Sequence, residues 1–405
     1  MREKNRRVLR GGAGILAACL LAGSICPTAF AATRPNENLS DTEAPRPDVN
    51  KDLSPEFAYS AQKWASLRDN VLEYGELADL IHEYNPTVRS NRESYNDMKN
   101  KDLNDVYQEA MDAAQDLWDQ AGDSDADYSK AALNMQANML SQQADNLYED
   151  PEMEKIQYAQ TEAALVSQAQ QLMITYQQSA YTLENLQNAK SLLEQQYQAV
   201  LAKQAVGSAT EAEVLNAKKS VQDQEAAILS AQKSVDSVHR SLCLMTGWSA
   251  DATPEIRNVP EPDLSRIDAM NPNADLATAQ KNNYTIRYNE KKLGNLTSSS
   301  LIESTKITIQ NAKNTTLSGL KTQYDTVLTT RDSLSTAQLQ LEAAKRDLDS
   351  AAAQLAAGRS TQLQYQSAQN TYTTAKNQVE STKLQLLMAM ESYDWIVKGL
   401  SASNG

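Results

Sequence analysis

Phenylalanine and tryptophan are scarce in this chain, with 2 Phe and 4 Trp among 405 residues. A thick aromatic interior of the ordinary globular kind is therefore excluded. Histidine is scarcer still: His82 and His239 stand far apart, with no Cys or second His at ligand spacing. His82-Glu83 lacks the second His of a zincin helix. No glycine-rich phosphate loop occurs outside the N-terminal segment, and the carboxylates are scattered along helical stretches, where ion pairs mostly solvate a surface. No convergent catalytic set, metal-ligand set or cofactor motif is present, so the expectation is a non-enzyme without cofactor. The net charge of −14 makes the chain a poor nucleic-acid binder. Of the three cysteines, Cys19 and Cys26 are expected to leave with an N-terminal export signal and Cys243 then stands alone, which leaves no internal disulfide to form.

Proline is missing where long helices need it missing. None occurs between Pro151 and Pro254, and none after Pro272. After the N-terminal segment no stretch stays apolar for the 18 or so residues that a membrane-spanning helix requires.

What is present begins with an export signal. Arg2, Lys4, Arg6, Arg7 and Arg10 precede an apolar stretch from Gly11 to Ile25, and Ala29-Phe30-Ala31 supplies a small-x-small cleavage pattern. Leu16-Ala17-Ala18-Cys19 also has the shape of a lipoprotein box, so lipidation at Cys19 is a rival processing route. With five basic residues and Glu3 the segment carries +4, and its removal takes −14 to −18. The expected organisation is a signal peptide at 1–31, a Pro-rich disordered leader at 32–55, and a first helical repeat at 56–247. A Pro-rich linker at 248–272, a second helical repeat at 273–398 and a tail at 399–405 complete it.

The repeat is visible as a coiled-coil seam. Leu334, Ala337, Leu341, Ala344, Leu348, Ala351 and Leu355 step by 3 and 4 up to Gly358. The stepping resumes at Tyr365, Ala368, Tyr372, Ala375, Val379, Thr382, Leu386, Ala389 and Tyr393. The same positions 151 residues earlier run Leu183, Leu186, Lys190, Leu193, Tyr197, Val200, Gln204, then Val214, Ala217, Val221, Gln224, Ile228, Ala231, Val235, Val238, Leu242, with Gly207 in place of Gly358. Lys190, Gln204 and Gln224 are the main polar exceptions. The fold class is therefore all-α, two repeated long antiparallel coiled-coil hairpins with little or no β, turning at Gly207 and Gly358. Glycine suits a left-handed helix end, and Thr210 and Thr361 are candidate caps of the return helices. From Ala78 to Gly207 is 129 residues and from Ala274 to Gly358 is 84, so the first repeat carries 45 more. That excess is either an extra hairpin around the Gly122–Asp127 turn or longer helices. Two slender hairpins share little core, which favours association with further copies or a partner.

The residues around the turns resemble the TolC family of outer-membrane efflux channels. The first copy runs Tyr197-Gln198-Ala199-Val200-Leu201-Ala202-Lys203-Gln204-Ala205-Val206-Gly207-Ser208-Ala209-Thr210-Glu211-Ala212-Glu213-Val214-Leu215-Asn216-Ala217 and closes with Leu242-Cys243-Leu244-Met245-Thr246-Gly247. The second runs Leu355-Ala356-Ala357-Gly358-Arg359-Ser360-Thr361-Gln362-Leu363 and lacks the closing Thr-Gly. Leu77-Ala78-Asp79-Leu80-Ile81-His82-Glu83-Tyr84-Asn85-Pro86 is similar to the family's opening helix, and Ala274-Asp275-Leu276 begins its counterpart. The resemblance implies a homotrimeric α-barrel in the cell envelope and no nucleic-acid partner. Its hairpin tips would dock a membrane-fusion (adaptor) protein of an inner-membrane pump, ABC or proton-driven, in efflux or secretion. By position the docking residues would be Val206, Gly207, Ser208, Ala209 and Thr210 with Ala357, Gly358, Arg359, Ser360 and Thr361. One departure stands out. The family threads two β-strands per repeat into an outer-membrane barrel, yet 118–170 has no alternating run of strand length and 273–398 offers only Ser304–Gln310. A barrel-less relative is expected, exported to the envelope, with outer-membrane residence tied to a barrel. The competing reading is a structural or regulatory coiled-coil protein, a spacer or an activator of wall-remodelling enzymes, with no transport role.

Overall fold

The structure, a computed structural model, describes residues 59–99, 102–145 and 150–401. The expected signal peptide and leader lie outside the described residues, as does the tail beyond 401. Among the described residues, helices α1 (Ala61–Ser66), α2 (Leu77–Tyr84), α3 (Pro86–Met98), α4 (Leu103–Gly122), α5 (Asp127–Asp145), α6 (Pro151–Ala205) and α7 (Glu211–Met245) come first. Then follow α8 (Ser265–Ala269), α9 (Pro272–Asn282), α10 (Tyr284–Asn295), α11 (Ser299–Ala356) and α12 (Gln362–Val397). Two short strands, β1 (Val71–Leu72) and β2 (Glu255–Ile256), pair in parallel and hold the segment after α7 against the segment before α2.

The long helices form the two hairpins. Helix α6 packs on α7 and α11 on α12, and the boundaries Ala205 and Ala356, like Glu211 and Gln362, are 151 residues apart. Every heptad position named above is buried or half-buried in both hairpins. The polar exceptions are bonded across the seam: Lys190 Nζ lies 3.1 Å from Glu225 on the opposite helix, and Gln224 Nε2 donates to the Leu186 carbonyl at 2.9 Å. Hydrogen bonding to Glu225 and Glu194 holds the Lys190 ammonium above its ordinary pKa. A polar residue in a narrow seam is tolerated when its head reaches a partner.

The first helix of each hairpin outruns its partner. Helix α6 has 55 residues and α7 has 35; α11 has 58 and α12 has 36. At 1.5 Å per residue the overhang is roughly 30 Å in each repeat. It is clothed by short helices: α2, α3 and α10 lie on α6, and α9 and α10 on α11. The core is widest here. One cluster gathers Leu72, Leu77, Leu80, Ile81, Tyr84, Met173, Ile174, Leu242, Cys243 and Trp248. A second gathers Ile267, Ala279, Leu320, Val327, Leu386, Met390 and Tyr393.

The short helices repeat as well. Asn85 separates α2 from α3 and caps α3 by accepting from Thr87 and Val88 N–H groups, while Asn283 separates α9 from α10 and accepts from Ile286 N–H. Asn85 Nδ2 donates to the Met245 carbonyl at the end of α7, and Asn282 Nδ2 to the Val397 carbonyl at the end of α12, both at 3.0 Å. Each break thus docks on the end of its own return helix.

Ser304–Gln310, the one candidate strand of the second repeat, is helix within α11. Its isoleucines do not alternate across a sheet: Ile307 is exposed and Ile309 packed, and Thr308 Oγ1 donates back to the Ser304 carbonyl as a helical threonine does. The second repeat also has its closing glycine. Gly399 sits at φ +113 after Lys398 and ends α12 as Gly247, at φ +86 after Thr246, ends α7. These two are 152 apart, so a constant 151 spacing lands on Lys398 and misses it. The 45-residue excess is the hairpin of α4 and α5, turning at Gly122 to Ala126.

Candidate docking tips

Helix α6 stops because Gly207 takes φ +73, a left-handed conformation open to glycine at little cost. The Ser208 N–H then donates to the Lys203 carbonyl at 2.8 Å and the Gly207 N–H to the Gln204 carbonyl at 2.9 Å, the Schellman pair that satisfies the last carbonyls of a helix. At the second turn Gly358 has φ +68, Arg359 N–H donates to Gln354 and Gly358 N–H to Leu355, at 2.8 and 3.0 Å.

The return helices start with matched capping boxes. Thr210 Oγ1 accepts from the Glu213 N–H at 3.3 Å while the Glu213 carboxylate accepts from the Thr210 N–H at 2.6 Å. Thr361 Oγ1 accepts from Gln364 N–H at 3.3 Å and Gln364 Oε1 accepts from Thr361 N–H at 2.8 Å. The bond from the Thr210 N–H, with that from its hydroxyl, holds the Glu213 carboxyl below the usual carboxylate range. With both ends of each turn bonded to themselves, three residues are presented on a rigid loop.

The sequence-predicted residues are exposed in the same pattern at both tips. Val206, Gly207, Ser208 and Thr210 are exposed and Ala209 half-buried; Ala357, Gly358, Arg359 and Thr361 are exposed and Ser360 half-buried. Val206, at 76 % exposure, is a bare apolar knob. The tips stand at one end of the molecule, because α12 runs beside α6 with Asn377 Nδ2 donating to Asn185 Oδ1 at 2.8 Å and to Glu184 at 3.1 Å. They differ in charge: Glu211 and Glu213 flank the first turn, whereas Arg359 with Gln362 and Gln364 flanks the second. Sequence reading omitted Glu213 and Gln364, although Thr-x-x-Glu and Thr-x-x-Gln ahead of an apolar seam are legible as capping boxes.

The structure places neither histidine at the tips. His82 is buried between α2 and α6, its Nδ1 2.7 Å from Glu162 Oε1. His239 lies 3.8 Å from Cys243 Sγ.

No family model and no curated protein sequence matches the chain. Solved structures do. Crystal structures of CusC, concerned with folding and transmembrane channel formation, match with a TM-score of 0.50 at 13 % identity, over 80 % of this chain and 96 % of that one. The CmeC outer membrane channel of Campylobacter jejuni matches at 0.46 and 12 %, over 92 % and 96 %. The outer membrane protein VceC of Vibrio cholerae matches at 0.44 and 13 %, over 84 % and 99 %. The fold is the TolC-like helical one that the sequence led us to expect, with almost no strand among the described residues.

Proposed function

We propose that the chain is a TolC-like envelope component of an efflux or secretion system. In this reading it assembles as a homotrimeric ring of hairpins and docks by the two tips to an adaptor protein of an ABC or proton-driven pump. The observation that carries the proposal is an asymmetry between equivalent helices. On α12 a second stripe, Leu363, Gln366, Asn370, Thr373, Asn377, Glu380, Leu384, is packed, lying toward α6. The same stripe 151 residues earlier, on α7, is Ala212, Leu215, Lys219, Gln222, Ala226, Leu229, Lys233, and it is exposed, Leu215 to 59 % and Leu229 to 63 %.

Its natural cover is the matching face of α11 on the next copy, which carries Leu339, itself 63 % exposed. The register follows from the intact pair. Asn377 against Glu184 and Asn185 translates to Ala226 against Ser335 and Thr336 of the neighbour. One heptad along, Lys219 meets Glu342, opposite in charge, as a specific pairing requires. Chains joined α7 to α11 close a ring when the rotation closes; the number three comes from the resemblance. Different charges at the two tips suit an adaptor that alternates two contacts around such a ring.

No helix among the described residues is long and apolar enough to cross a membrane. The helical α4–α5 hairpin and the unbroken α11 favour a second reading, a spacer without a conducting barrel.

Two measurements test the proposal. Oxidation of a chain carrying Ala226→Cys and Thr336→Cys is expected to give covalent oligomers; monomer alone would refute the ring. Val206→Asp with Arg359→Glu is expected to abolish capture of an adaptor from envelope extracts at unchanged helix content, and unchanged capture would refute tip docking.

A further inference from the structure

The α4–α5 hairpin lies at the end of the molecule away from the tips, where Thr297 Oγ1 donates to the Asp145 carbonyl. Its two helices pack chiefly on each other. The seam between them is Tyr107, Ala110, Ala114, Leu117 and Ala121 on α4 and Leu133, Ala137, Leu140 and Ala144 on α5, all buried or half-buried. Small residues there bring the helices close.

The outer faces are opposites. On α4, Asp105, Glu109, Asp112, Asp116 and Asp119 repeat at steps of 4 and 3 and are all exposed, on the side away from the seam. Like charges at this spacing repel mildly and keep other anionic surfaces away. On α5, a second heptad stripe, Tyr128, Ala132, Met135, Met139 and Gln142, lies opposite the seam. Tyr128 is 88 %, Met135 61 % and Met139 52 % exposed. Between Tyr128 and Ala144 the only charge is Lys130. Tyrosine and methionine without acids is the composition of an interface centre, not of a solvated face.

We propose that the Tyr128–Met135–Met139 stripe of α5 packs against the same stripe of the other copies, forming a parallel coiled-coil crown on the axis of the ring with the acidic face of α4 outward. The inference rests on the ring reading, which brings the hairpins of all copies to one end around one axis. Heptad spacing favours helical copies of itself as the occupant, since a seam stepping 4 and 3 fits knobs into the holes of another helix, and rotation about the ring axis makes the copies parallel. A lipid surface is disfavoured: the stripe is interrupted by Ala132 and Gln142, and the five carboxylates of α4 oppose anionic headgroups.

The test is disulfide trapping in the full chain with Cys19→Ala and Cys26→Ala. Cys243 stays, because it is fully buried and its thiol is pushed up to about 12. Met135→Cys and, separately, Met139→Cys are each expected to give intermolecular disulfides, and Asp112→Cys on the outer face none. The Ala226→Cys, Thr336→Cys pair reports the ring in parallel. Ring disulfides without Met135 or Met139 disulfides overturn the crown and leave the ring standing. Loss of both overturns the crown together with the ring reading. Stripe disulfides no more frequent than those at Asp112 overturn it. So does a Met135→Cys thiol that forms no disulfide but is shielded by phosphatidylglycerol–phosphatidylcholine vesicles.

Discussion

Replacing Gly399 by alanine separates two reasons for a glycine. Among the described residues the left-handed glycines, Gly207, Gly247, Gly358 and Gly399, each end a long helix. At Gly207 and Gly358 an added Cβ meets nothing within 4 Å, so the cost is conformational alone, about 1–2 kcal/mol for an L-residue in that region. At Gly399 the φ of +113 is farther from any well for L-residues, about 1–3 kcal/mol of strain. There the Cβ would also stand 2.3 Å from the Asn282 carbonyl oxygen and 2.7 Å from its carbon. Backbone must therefore move. The bonds at risk are Tyr284 N–H to the Gly399 carbonyl, 3.1 Å, and Asn282 Nδ2 to the Val397 carbonyl, 3.0 Å, each about 1 kcal/mol. Gly399→Ala should cost about 3–5 kcal/mol in all, against about 1–2 kcal/mol for Gly358→Ala. Urea unfolding followed by helical circular dichroism measures both, with unchanged slopes as the condition for comparison. Equal midpoint shifts would refute the claim that Gly399 is required by close approach of the α9–α10 break.

Two further outcomes follow from buried groups. Asp150 caps α6, 2 % exposed on its side chain, and accepts from Glu152 N–H, Asn295 Nδ2 and Lys291 Nζ. Burial pushes its carboxyl up, but these bonds win and leave it below the ordinary 3.8. Its contribution is therefore complete above 3.8 and lost as pH falls through the lower folded value; Asp150→Asn should cost about 1–3 kcal/mol at neutral pH and flatten the acid side of the stability curve, read by urea midpoints across pH. Cys243 should resist maleimide in the native chain from residue 32 onward and react once urea unfolds it, since burial pushes the thiol up to about 12 and keeps it protonated. Rapid native labelling would contradict its place in the core.

The hairpins were legible because a seam stepping 3 and 4, bounded by glycine and a capping threonine, is local: the same residues that specify the helix specify where it stops. Gly207 and Thr210, like Gly358 and Thr361, needed no distant partner to be read. Ser304–Gln310 was ambiguous because Thr305, Ile307 and Ile309 alternate with Lys306 and Thr308; the structure buries Thr305 and Ile309, four apart, and exposes Ile307 between them, the helical pattern. Gly399 was missed because one extra residue in the second return helix breaks a constant spacing. By itself, the sequence determined the all-α class, the duplication and both turns, all consequences of periodicity and backbone freedom. Tertiary structure alone decided that the second stripe of α12 is covered by α6 while the matching stripe of α7 is exposed, that each asparagine break docks on a return-helix end, and that α5 turns an uncharged stripe away from its own seam. Those are choices of which face meets which, and a face has no partner until the chain has folded back on itself.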